Sequence, residues 1–303
     1  MSTETITPDT QHRSLAERLP QPLRDYALLA RFDRPIGFWL LFWPCAWGLW
    51  LTGAGAQWAL LAWFFLGAVA MRSAGCVYND IVDRDLDKSV ARTANRPLAS
   101  GRVGLRAAWV WLVALCLVGL VVLLQLRLSA QLVALGSLLL VAAYPFMKRI
   151  TWWPQAWLGL VFNWGVLVGW TAMRGDNLAV MLALYAGAAC WTIGYDTIYA
   201  LQDREDDALV GIKSSALRLD GHVKSGVALF YTLALGSWML AFWLLRGDAL
   251  ALLALAPVAV HLLWQVVTLD PANGDNPLAR FRSNRLAGAL VAAACFVVGN
   301  AGA

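Results

Sequence analysis

Residues 107–126 read Ala107-Ala-Trp-Val-Trp-Leu-Val-Ala-Leu-Cys-Leu-Val-Gly-Leu-Val-Val-Leu-Leu-Gln-Leu126, with Arg106 before them and Arg127 after. No charge interrupts the run, and no polar face recurs along it. A helix with this sequence has no side to turn to water. Its length matches the about 20 apolar residues that a helix needs to cross the hydrocarbon core of a bilayer. Working outward from it, similar runs recur at about 36–53, 58–80, 130–147, 153–172, 179–200, 223–245, 249–268 and 285–302. Pro154 and Asn163 interrupt the run at 153–172. The sequence therefore predicts an all-α polytopic membrane protein with nine transmembrane helices.

Composition excludes the other classes. Of 303 residues, 60% are hydrophobic and only 14% are charged, against roughly 25% charged in a soluble domain. Mean hydropathy is +0.59. A water-soluble fold of this size has too little interior to hide so much apolar surface, and a disordered chain has the opposite composition. A membrane barrel needs short alternating strands rather than near-continuous runs.

Lysine and arginine give the orientation, because they collect on the cytoplasmic side. With nine spans, twenty of the 24 cationic side chains share the side of the N-terminus, and three (Arg127, Arg174 and Arg246) fall on the other. Arg72 lies inside a span. This predicts a cytoplasmic N-terminus. The net charge of +5 is then topology and attraction to anionic lipid, not a nucleic-acid signal. Residues 1–25 form a polar tail, and 26–303 read as one transmembrane domain. The tail lacks the apolar core of a signal peptide and the Arg- and Ser-rich character of a transit segment, which favours a bacterial cell inner membrane. Five widely spaced cysteines (Cys45, Cys76, Cys116, Cys190 and Cys295) suit neither a disulfide framework nor a zinc site and are expected to be buried. The 17 tryptophans are expected mostly to form an interfacial belt.

Acidic residues carry the specific signal. Nine of the 19 lie in two windows, Cys76-Val-Tyr-Asn-Asp-Ile-Val-Asp-Arg-Asp-Leu-Asp-Lys88 and Tyr195-Asp-Thr-Ile-Tyr-Ala-Leu-Gln-Asp-Arg-Glu-Asp-Asp207. These end the second and sixth spans on the same predicted side. On a helix Asp80, Asp83 and Asp87 form one stripe, with Asn79 four before Asp83. Asp196, Tyr199, Asp203 and Asp207 form another. A single such cluster leaves room for a solvated acidic loop, the lesser reading; two at equivalent span ends leave little. Like charges so stacked need a cation, and an all-oxygen set suits Mg²⁺ rather than zinc or copper. Arg92, Arg96, Lys148, Arg149 and Lys213 flank the two windows. Carboxylates, Mg²⁺ and a ring of cations are what a diphosphate requires.

The motifs, in order, resemble the UbiA superfamily of intramembrane aromatic prenyltransferases. They are Asn79-Asp80-x-x-Asp83-x-x-x-Asp87, Arg92-x-x-x-Arg96-Pro97-Leu98, Tyr144-Pro-Phe-Met-Lys-Arg149, Asp196-x-x-Tyr199-Ala200-x-x-Asp203-x-x-x-Asp207 and Gly211-Ile-Lys213-Ser214. Arg31-Phe-Asp-Arg-Pro-Ile-Gly37 and Phe281-Arg-Ser-Asn284 resemble the branch that prenylates 4-hydroxybenzoate in ubiquinone biosynthesis. The resemblance spans roughly residues 25 to 302. Gln202 and Glu205 depart from it, where an apolar residue and Asp are expected.

The resemblance implies a bundle around a central cavity open to lipid. It also implies transfer of a polyprenyl group from polyprenyl diphosphate to the ring carbon ortho to the hydroxyl of 4-hydroxybenzoate. Asn79, Asp83, Asp87, Asp203 and Asp207 become the expected Mg²⁺ ligands. Arg92, Arg96, Lys148, Arg149 and Lys213 become the diphosphate clamps. The acceptor carboxylate needs a cationic fork, for which Arg72 is the first candidate and Arg34 the second, with Tyr199 and Asp196 beside the acceptor. The proton lost from the ring goes to a carboxylate such as Asp203 or to the departing diphosphate. No obligate protein partner is evident. Menaquinone-, tocopherol-, haem- and chlorophyll-type enzymes share the Asp motifs with other acceptors. A cation transporter would carry its acids near the bilayer midplane on broken helices, whereas these gather at one face beside Arg and Lys.

Overall fold

A segment surrounded by hydrocarbon must satisfy its own backbone hydrogen bonds, and an unbranched chain does so only as a helix. The computed structural model describes residues 15–301 other than 22, 90–92, 174, 203, 205–210, 212 and 274. Among the described residues every regular element is helical. The α-helices are α1 (Leu23–Leu29), α2 (Ile36–Leu51), α3 (Trp58–Val82), α4 (Arg84–Ser89), α5 (Leu105–Leu124), α6 (Leu128–Ile150) and α7 (Pro154–Ala172). They continue with α8 (Leu178–Ala200), α9 (Ser215–Leu219), α10 (Val223–Arg246), α11 (Ala249–Leu253), α12 (Ala256–Thr268) and α13 (Asp275–Asn300). Leu15–Arg18, within the expected polar tail, is a single 3₁₀ turn.

Seven helical stretches among the described residues are long and apolar enough to cross a membrane. The other two expected spans are α2 and α7. At 16 residues α2 is about 24 Å long, short of the roughly 30 Å core. The 19 residues of α7 include Gln155, Asn163 and Thr171, which dilute its apolarity. Pro154 opens α7 rather than interrupting it, a position where its missing N–H costs nothing. Asn163 is fully buried, donating to Gly159 O (2.8 Å) and to Thr192 Oγ1 (2.6 Å). The expected span 249–268 is broken between α11 and α12, where Pro257 sits in the first turn of α12. The last helix starts ten residues before the expected 285, because it carries Arg280, Arg282 and Arg285 as a helical extension of the apolar run.

The chain divides into two compact units. The first comprises Met1–Phe38 and Phe65–Gln125. Its core joins α1, α3, α5 and the loop after α4 through Leu29, Ala74, Val77, Leu98, Ala108 and Leu112. The second comprises Trp39–Phe64 and Leu126–Ala303. Here α8 packs against α7, α10 and α13. Trp47, Trp191 and Trp238 are fully buried and in mutual ring contact, with Trp47 bonded to Gly288 O (2.9 Å) and Trp191 to Asn284 Oδ1 (2.9 Å). These three are core rather than belt. The interfacial reading suits exposed Trp58, Trp109 and Trp243, which lie within five residues of an end of their helices.

Outward faces carry large apolar residues such as Leu117, Val121 and Leu139, as a lipid-facing surface requires. Cys116 is exposed on that surface, Cys45 and Cys190 are half-buried, and only Cys76 and Cys295 are buried as expected. A small apolar residue gains nothing by facing inward when the solvent is itself apolar.

Candidate active site

The first acidic window bridges α3 and α4. Asp83 N–H bonds Asn79 O (2.9 Å) and Asp87 N–H bonds Asp83 O (2.8 Å), so helical spacing continues across the junction. Asn79, Asp83 and Asp87, each four residues apart, therefore share one face. Asp83 is 1% exposed and Asp87 6%, while Asn79 is half-exposed. Burial holds the Asp87 carboxyl above the ordinary carboxylate range, although Arg96 pulls against it. Asp85, about half a turn round the helix from Asp83 and Asp87, is exposed and is held below that range by hydrogen bonds from Arg84 and Lys88. It is a solvated charge of the same window with no part in the buried row.

Asp80 departs from the expected stripe. It is 2% exposed, and both of its oxygens receive arginine. Arg31 Nη2 lies 2.7 Å from Oδ1 and 3.0 Å from Oδ2, and Arg96 Nη1 lies 3.2 Å from Oδ1. The same Arg96 nitrogen reaches Asp87 Oδ2 at 2.8 Å. Two cations thus serve two carboxylates in one chain, Arg31–Asp80–Arg96–Asp87. Burial works to lower the Arg31 pKa, and Asp80 together with Cys76 and Asp33 more than reverses this, so Arg31 stays firmly cationic.

Arg31 carries no role in the sequence reading. It occupies the left-handed region at φ +61°. Its N–H bonds Leu28 O and the next N–H, of Phe32, bonds Ala27 O, which is the Schellman closure of α1. Glycine is the usual residue there, and a side chain costs about 1–2 kcal/mol. The signal available beforehand was only the Arg31–Gly37 stretch.

Around this row, Arg102 bonds Asp25 Oδ1 and Asn95 O, both at 2.9 Å, tying α1 to the loop after α4. Thr93 Oγ1 donates to Asp87 O (2.9 Å). Arg72 donates to Cys76 Sγ, and its Nε lies where a Cβ on Gly37 would come within 2.6 Å. Arg34, the alternative fork, bonds buried Asp33 Oδ2 at 3.0 Å. Arg92 lies outside the described residues.

The second unit holds the remaining candidates. Asp196 and Tyr199 are half-buried in the last turns of α8. Phe281 of α13 backs Tyr199, with ring centroids 4.6 Å apart, and also touches Tyr195. Lys213 Nζ donates to Ile150 O (3.2 Å) and lies over the Trp152 ring, and Arg149 is exposed at the end of α6. Asp203, Asp207 and the side chain of Lys148 lie outside the described residues.

The donor chemistry fits Mg²⁺. Asn79, Asp83 and Asp87 offer oxygen alone, two of them as buried carboxylates, which is a hard set. Among the described residues no trio of His, Cys, Asp or Glu is already gathered for a metal.

Helices with apolar outer faces, and buried carboxylates chained to arginine at a span end, define a polytopic membrane protein equipped for an anionic head group. The chain belongs to the UbiA prenyltransferase family, whose model matches residues 41–297. It is 42% identical over 294 residues to the mitochondrial 4-hydroxybenzoate polyprenyltransferase of Drosophila melanogaster, covering 96% of this chain and 75% of that one. The human protein of the same name is 43% identical over 282 residues, covering 92% and 76%. Among solved structures, the apo UbiA homolog from Aeropyrum pernix K1 has a TM-score of 0.71 at 26% identity, covering 86% of this chain and 97% of that one. A UbiA homolog from Archaeoglobus fulgidus bound to GPP and Mg²⁺ has a TM-score of 0.67 at 18% identity, covering 90% and 99%, and shares the fold. The expectation of a bacterial cell inner membrane is corrected here, since the fly and human relatives are both named mitochondrial. That expectation rested on the composition of residues 1–25 alone. Apolar spans and an uneven cation distribution read alike in either membrane.

Proposed function

We propose that this chain is a Mg²⁺-dependent prenyltransferase. It moves a polyprenyl group from polyprenyl diphosphate to the ring carbon of 4-hydroxybenzoate ortho to the hydroxyl, for ubiquinone biosynthesis. The observation that carries the reading is 42% identity over 96% of the chain to a protein named for that reaction. The buried oxygen row of Asn79, Asp83 and Asp87 supports it. The relatives' names support a mitochondrial membrane as the location.

Asn79, Asp83 and Asp87, with Asp203 and Asp207, would hold Mg²⁺, which neutralises charge on the diphosphate when bound. Arg96, with Arg92, Lys148, Arg149 and Lys213, holds the diphosphate and stabilises the charge that develops as the carbon–oxygen bond breaks. Arg72 takes the acceptor carboxylate, with Arg34 as the alternative. Tyr199, backed by Phe281, and Asp196 flank the acceptor ring. Apolar walls keep water from the allylic cation until the ring carbon attacks.

The test uses membranes from cells expressing the chain, supplied with geranyl diphosphate, Mg²⁺ and 4-hydroxybenzoate, with product identified by mass spectrometry. The 3-prenylated acid should form, and should vanish in Asp83→Ala and Asp203→Ala membranes and with EDTA. Prenylation of dihydroxynaphthoate or homogentisate instead would keep the family and replace the acceptor. Folded protein that prenylates nothing would overturn the reading.

A further inference from the structure

We infer that Arg31 and Asp80 form a positioning pair that sets Arg96 and Asp87 for the prenyl diphosphate, and that Asp80 is not itself a metal ligand. The inference rests on the function proposed above. Both Asp80 oxygens are taken by guanidinium groups at 2.7 to 3.2 Å, and the residue is 2% exposed. It stands one residue beyond Asn79, about 100° round the helix from the row of Asn79, Asp83 and Asp87. Its partner Arg96 extends the same nitrogen to Asp87 Oδ2 at 2.8 Å. The direction of Arg96 is thereby fixed between two carboxylates, one of which belongs to the proposed ligand row.

Arg31 anchors the other end. A left-handed helix terminus admits glycine without strain, yet an arginine is kept at φ +61°. From there Nη1 bonds Leu28 O at 3.1 Å and Nη2 bonds Asp80. One side chain therefore closes α1 and pins α3 at the acidic row. A lysine offers a single point charge and cannot reproduce this planar fork.

Arg31→Gly is the informative variant, because it removes the guanidinium while relieving the backbone. Purified full-length protein would be compared as wild type, Arg31→Gly, Arg31→Lys, Asp80→Asn and the Gly/Asn double variant. The readouts are melting midpoint, KM for geranyl diphosphate and for 4-hydroxybenzoate, and binding of the non-cleavable geranyl thiolodiphosphate in EDTA. Arg31→Gly should weaken metal-free analogue binding by about tenfold, the worth of one charge-assisted hydrogen bond. It should raise KM for geranyl diphosphate with little change in KM for 4-hydroxybenzoate. Asp80→Asn should match it, the double variant should add nothing further, and Arg31→Lys should fall between. Wild-type binding by Arg31→Gly would overturn the pair. So would a fall in melting midpoint with both substrates equally affected, which marks a purely structural role. If Arg31→Gly does not fold, Arg31→Lys and Asp80→Asn decide by the same criteria. A wild type that neither binds the analogue nor turns over sinks the proposed function itself, and this inference with it.

Discussion

At the scale of single residues, burial decides which charges are chemical. Asp85 is exposed and paired with Arg84 and Lys88, so Asp85→Asn should leave turnover within about twofold, as expected for a surface pair. Asp87 is the contrasting case. Burial raises its pKa in the folded chain, so its ionised form opposes folding while no metal is bound. Asp87→Asn should therefore abolish product while leaving the melting midpoint of EDTA-treated protein equal to wild type or higher. A lower midpoint would mean that the Arg96 contact outweighs desolvation. Gly37 tests the acceptor fork. A methyl there would sit 2.6 Å from Arg72 Nε and push the guanidinium aside. Gly37→Ala should raise KM for 4-hydroxybenzoate by about tenfold, one charged hydrogen bond, with KM for geranyl diphosphate unmoved. Equal effects on both substrates would remove Arg72 from the acceptor.

At the scale of elements, helices meet where side chains vanish. A Cβ on Gly48 of α2 would fall 2.2 Å from Val166 O of α7, and one on Gly169 would fall 2.2 Å from Cys45 O. The two backbones touch, as small residues allow in membranes. Gly48→Val should lower stability by about 1–3 kcal/mol, the usual cost of overpacking. Gly236 of α10 has nothing within 4 Å of a Cβ, so Gly236→Ala should be neutral or slightly stabilising in the same thermal melts. Much at this scale was legible in the sequence, because hydrocarbon imposes a simple rule and apolar runs such as 107–126 obey it. The acidic row was legible for the same reason, since Asp83 and Asp87 stand four apart at a span end. What stayed hidden depends on pairs distant in sequence. Asp80 looks like Asp83 until Arg31, 49 residues away, takes both its oxygens. Arg31 shows no glycine to mark its left-handed turn. Cys116 and Trp47 exchange their expected places because an apolar solvent does not sort small from large.

At the scale of the whole molecule, the proposed chemistry requires both acidic windows to open on one side of the membrane. That follows only if α7 crosses it along with α5, α6 and α8, the other long helices between the two windows. Counting all nine puts the loops bearing Ser100 and Gly221 on the same side, with Gln57, Asn177 and Gly247 opposite. Counting only the seven stretches that are long and apolar enough by themselves puts Ser100 and Gly221 on opposite sides, because α7 no longer returns the chain. The cation distribution favours nine. Arg96, Arg102 and Arg106 beside the first window then share a side with Lys213, Arg218 and Lys224 beside the second, as the positive-inside rule requires. Single cysteines at 57, 100, 177, 221 and 247 in a cysteine-free background would be labelled with a membrane-impermeant maleimide in sealed vesicles of known orientation. All five positions are exposed. Labels at 100 and 221 should report the N-terminal side together, and labels at 57, 177 and 247 the other. Opposite labelling of 100 and 221 would leave α7 lying along the membrane. The two acidic windows would then lie on opposite sides, and one diphosphate could not engage both.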